Sequence, residues 1–114
     1  MALLQILKIV AAIGTVVTGL VSLLWPRSVT GFTGLEPRGG RGITEIRAVL
    51  GGVFLALGVV PLVFGDPILY QALGIVYLVI GGIRTISMLV DKSIESSNLI
   101  SIAVEIVFGV VLVN

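Results

Sequence analysis

Four uninterrupted apolar blocks, each near the length of one bilayer crossing, constrain this chain more than any other feature. They occupy residues 2–25, 43–64, 68–90 and 99–113 of a 114-residue sequence. A soluble helix or strand interleaves polar residues at a period of 3.6 or 2. About 20 consecutive, mostly apolar residues instead make a membrane span. Only 11% of the residues are charged, against about 25% in an ordinary soluble domain. Transmembrane β-strands need alternating segments of about ten residues, and these blocks are continuously apolar. The expected fold is all-α: one integral membrane domain over residues 1–114, built as a four-transmembrane-helix antiparallel bundle.

The connections set the order of the helices. The first block stops at Trp25-Pro26-Arg27, where an interfacial indole, a helix breaker and a cation coincide. Its length exceeds a signal-peptide apolar region, so it is kept as a span. Residues 26–42 make the one substantial loop, rich in glycine and arginine, and read as a flexible connection. Gly65-Asp66-Pro67 is a tight turn, and residues 91–98 are a short polar one. Such short connections make consecutive helices antiparallel neighbours.

Counting cations by side gives the topology. The loop and the 91–98 turn share a face carrying Arg27, Arg38, Arg41 and Lys92, with Arg47 just inside it; the other face has only Lys8. The positive-inside rule places the arginine-rich face in the cytoplasm and both termini outside. Arg27, Arg38, Arg41 and Lys92 are therefore expected to meet lipid headgroups, each cation near an anionic surface contributing about 1 kcal/mol. Pro37-Arg38-Gly39-Gly40-Arg41-Gly42 superficially resembles a phosphate-cradling or RNA-binding segment. It lacks the Walker lysine with its following Ser or Thr, and it is a single copy.

Several chemistries fall on composition. The chain has no cysteine and no histidine, which removes thiolate and imidazole metal sites, histidine-ligated haem, thiol nucleophiles and a Ser-His-Asp relay. No metal, cofactor or nucleic-acid partner is expected; the net charge is +1. A carboxylate and an arginine do not by themselves specify a reaction, so an enzyme is not expected either.

Five charged residues lie within the spans: Lys8, Glu45, Arg47, Arg84 and Glu105. Lys8 is near enough to an end to snorkel. Arg84 and Glu105 are equidistant from the turn centre between Ile94 and Glu95. They should therefore share one depth, about 10 Å inside the membrane edge at 1.5 Å per residue. An unpaired charge near a span's centre costs at least about 2.5 kcal/mol, so the two should pair. Glu45 and Arg47 enter near the same surface, which predicts a four-membered cluster of Glu45, Arg47, Arg84 and Glu105.

Helical spacing places the polar and small residues on interior faces. Tyr70, Gly74, Tyr77, Gly81 and Arg84 line the third span, and Asn98, Ser101, Glu105 and Gly109 the fourth. Arg47, Gly51, Phe54 and Gly58 line the second, with Ala48, Gly52 and Ala56 as a small face beside them; Ala11, Thr15, Thr18 and Ser22 line the first. The cluster is either a network fixing helix order and rotation or a proton, ion or small-ligand site.

The segment Thr44-Glu45-Ile46-Arg47-Ala48-Val49-Leu50-Gly51-Gly52 resembles a family of small bacterial four-helix integral membrane proteins of unknown function. Those proteins carry Glu-x-Arg-Ala-x-x-Gly-Gly at the start of the second helix, an arginine late in the third followed by an aspartate at its end, and a glutamate in the fourth. The matching positions here are Glu45, Arg47, Arg84, Asp91 and Glu105. Leu50 stands where the family tends to an aromatic, and Lys92 where it tends to glycine. The resemblance implies the four-helix fold and no activity. Together these observations predict a structural or accessory component of the bacterial inner membrane, packed against other subunits or its own copies amid membrane lipids. The alternative is an oligomeric proton-coupled or small-solute carrier built on the Glu/Arg pair.

Overall fold

The computed structural model describes residues 2–114. The fold is all-α, with no strand among the described residues and four helices long and apolar enough to cross a membrane. Helix α1 covers Ala2–Leu24. A 3₁₀ turn, Pro26–Ser28, leads into the short α2, Val29–Thr33. Helix α3, Gly39–Glu45, runs through a π-helical turn, Ile46–Gly51, into α4, Gly52–Phe64, so the second span is continuous over Gly39–Phe64. Helices α5, Pro67–Val90, and α6, Ser96–Val113, complete the chain.

The 26–42 segment is more ordered than its glycine content suggests. Helix α2 ends on Gly34, whose φ of +75° suits a residue without Cβ, and the Gly34 amide donates to the Thr30 carbonyl at 2.9 Å. The Thr30 hydroxyl donates to the Leu35 carbonyl and the Thr33 hydroxyl to that of Val29. Threonine hydroxyls thus order a segment expected to be a flexible connection. At the tight turn, the Asp66 carboxylate accepts from the Ile68 amide and Pro67 occupies the first helical position, a cap that starts α5 at once.

The chain divides into two compact units, one of residues 12–65 and one of residues 66–114 with the start of α1 through Ala11. Within the first, α1 and the second span run antiparallel at close quarters. A Cβ on Gly19 would strike the Leu55 amide, one on Gly51 would lie 3.1 Å from that of Leu23, and one on Gly58 would meet the Ala12 carbonyl at 2.7 Å. Thr15 and Ser22 are fully buried, and the Ser22 hydroxyl donates to the Thr18 carbonyl at 2.9 Å. Small residues let the backbones approach, and the Thr18 and Ser22 hydroxyls turn back on their own helix.

In the second unit α5 and α6 form an antiparallel hairpin. A Cβ on Gly74 would strike Leu112 and Val113, and one on Gly109 would strike Leu78. Tyr77 and Phe108 pack edge to face at 5.4 Å between ring centroids. The buried face of α5 carries Tyr70, Gly74, Tyr77 and Gly81, as the spacing predicts. Lys8 departs from its expected snorkelling, being only 9% exposed. Three residues before buried Ala11, it shares the inward stripe of α1.

Candidate functional site

The hairpin brings Arg84 and Glu105 together. The Arg84 Nε donates to Glu105 Oε1 at 2.9 Å and Oε2 at 3.2 Å, and Nη2 donates to Oε2 at 2.7 Å. This is a side-on, bidentate pairing, the geometry in which a guanidinium gives orientation as well as attraction. Glu105 is 7% exposed, whereas the Arg84 side chain is 30% exposed. Gly81 makes room, since a Cβ there would already lie 3.4 Å from that of Glu105.

Asn98 completes the arrangement. Its Oδ1 accepts from Arg84 Nη1 at 3.1 Å, and its Nδ2 donates to the Ser93 carbonyl at 2.8 Å. The sequence put Asn98 on the Glu105 face but gave it no role; its position two helical turns before the carboxylate was the available signal. Among the described residues no buried polar side-chain atom lacks a hydrogen-bond partner. Of the five guanidinium N–H groups, two are left over from these contacts. Beside them opens a groove of about 290 Å³, with Ile80 and Ile83 on its apolar side and Ser87 and Ser93 on its polar side.

Glu45 and Arg47, in the other unit, are both exposed. Glu45 pairs with Arg41 one turn earlier, both side chains being largely exposed, and Arg47 is exposed and in no ion pair among the described residues. The π-helical turn is the physical reason. An α-helix would place Arg47 above Gly51, four residues on, but the wider turn buries Ile46 and Gly51, five apart, and rotates Arg47 off the inward face. A 3.6-residue period cannot anticipate that extra residue.

Arg47 instead borders a cleft of about 520 Å³ at the end of α1, together with Trp25, Arg27, Ser28 and Ile43. Of the residues expected at lipid headgroups, Arg27, Arg38, Arg41 and Lys92 are all exposed. Arg38 precedes the first turn of α3, Arg41 is engaged by Glu45, and Lys92 follows the end of α5. No group of three or more metal-ligating side chains occurs among the described residues.

No curated protein and no solved structure matches the chain. A family model described as a domain of unknown function (DUF4345) matches residues 3–114, nearly the whole sequence, and so takes in the hairpin with its ion pair as well as the π-helical span. The chain is a member of the DUF4345 family.

Proposed function

We propose that this protein is a structural or accessory component of the bacterial inner membrane, a small subunit packed against larger membrane partners, with its arginine-rich face in the cytoplasm and both termini outside. The carrying observation is a close-packing face that the chain leaves unused. Gly19, Gly51 and Gly58 are each filled by a crossing helix, yet nothing lies within 4 Å of where a Cβ on Gly52 would sit. Ala56, one turn on, is exposed as well. In lipid, small residues at this spacing permit close approach of another helix. The closed Arg84–Glu105–Asn98 network fits this reading as a pin that fixes the rotation of α5 against α6.

The test is extraction from native membranes in mild detergent. The proposal expects partner subunits at a fixed ratio, lost from the Gly52→Leu variant while the variant itself stays folded. A protein that extracts alone, or whose companions ignore Gly52→Leu, overturns it.

A second reading, an oligomeric carrier of protons or small solutes, is favoured by the groove beside Arg84 and its two remaining N–H groups. Intramembrane ionisable residues mark such pathways. A discrete homodimer in which Glu105→Gln folds normally but no longer releases a proton or binds a solute would support it.

A further inference from the structure

We propose that the cleft between the end of α1 and the π-helical turn is a binding site for the phosphodiester headgroup of an anionic phospholipid, held by Arg27 and Arg47. Two guanidinium groups border the cleft and no carboxylate does. Neither arginine is in an ion pair among the described residues, and Glu45, near in sequence, is already engaged by Arg41. The cleft thus concentrates two uncompensated positive charges, each on a planar fork suited to phosphate oxygens.

The backbone is built to produce this arrangement. Arg27 sits in the 3₁₀ turn that follows α1, and Arg47 in the π-helical turn that directs it away from the interior. Single π-helical turns within α-helices recur at functional sites because they re-aim one side chain at the cost of helical regularity. A regular α-helix would bring Arg47 onto the buried stripe and leave Arg27 alone at the cleft.

The occupant is a lipid rather than a free anion because of the remaining walls. Leu24 and Ile43 give the cleft an apolar side, and Leu24 belongs to the exposed apolar surface of α1. Trp25 is 62% exposed at the same level, where an indole anchors at the headgroup boundary. A phosphate between the arginines would have its acyl chains run along that surface. The volume, about 520 Å³, is in the range of small-molecule sites.

Trp25 is the sole tryptophan, so its fluorescence reports on the cleft alone. The protein is reconstituted in vesicles and quenched with brominated phosphatidylglycerol or brominated phosphatidylcholine. Phosphatidylglycerol is expected to occupy the cleft roughly thirtyfold more strongly, as follows for two cations near an anionic headgroup. Arg27→Gln/Arg47→Gln should abolish that preference. Ser96→Glu/Ser97→Glu, which lowers the net charge equally at exposed positions far along the sequence, should keep it. Equal quenching by the two lipids in the unaltered protein overturns the proposal without any variant. So does equal loss in both double variants, which would reduce the effect to overall charge. Loss of the preference on adding millimolar inorganic phosphate at constant ionic strength would assign the cleft to the free anion instead.

Discussion

At the residue scale, the decisive interaction is the bidentate contact between Arg84 and Glu105. Removing one partner of a buried pair strands the other charge, typically at a cost of about 3 to 5 kcal/mol, whereas replacing both with apolar groups is often nearly neutral. Arg84→Met and Glu105→Leu should therefore each lower stability in a dodecyl sulfate unfolding titration by about 3 kcal/mol. The double variant should lose less than either single. Additive losses would mean that the two side chains are not energetically coupled. This pair was legible in the sequence because two charges equidistant from a short turn must lie at one depth. Its third member, Asn98, was half legible: its face was visible, but its bond to the Arg84 Nη1 depends on side-chain reach rather than spacing.

At the element scale, the ends of the helices show how local chemistry fixes the path. Helix α5 closes with the Asp91 amide on the Ser87 carbonyl at 2.7 Å and the Ser93 amide on the Met88 carbonyl at 3.0 Å. That closure holds Lys92 at φ +54°, the one non-glycine residue with positive φ among those described. The left-handed conformation costs an L-residue about 1 kcal/mol, a cost that glycine, without a Cβ, does not bear. Lys92→Gly should accordingly raise the thermal midpoint in detergent by a few degrees, with the gain partly offset by the freer unfolded chain. A lowered midpoint would show that the lysine side chain contributes more than its backbone costs. The helix ends at residues 24, 64 and 90 lay close to the apolar boundaries because Pro26, Gly65 and Asp91 punctuate the sequence. The short α2 and the π-helical turn were not legible. The first depends on hydroxyl-to-carbonyl bonds, and the second on an extra residue within an otherwise regular run.

At the scale of the whole molecule, apolar surface is the dominant fact. In the most apolar stretch of each span, only 17% to 28% of residues are buried, and side chains as large as Phe64, Leu89 and Val90 are exposed. Water would not tolerate so much exposed hydrocarbon on a stable monomer, whereas lipid tails match it. The absence of cysteine makes the orientation easy to measure, since any introduced thiol is the only one. With a membrane-impermeant maleimide, Asn114→Cys should be labelled in intact spheroplasts and Glu36→Cys only after lysis. The reverse pattern would place the arginine-rich face outside the cell.

The π-helical turn also separates length from azimuth. Ile46 and Gly51 face inward although five residues apart. Deleting a single residue between them would restore the regular four-residue spacing and leave the segments on either side with their bearings nearly unchanged. Only the side chains inside the turn, that of Arg47 among them, would be re-aimed. In such a span the bearing of a side chain can be retuned by indels as well as by substitution, and chain length itself becomes a heritable coordinate.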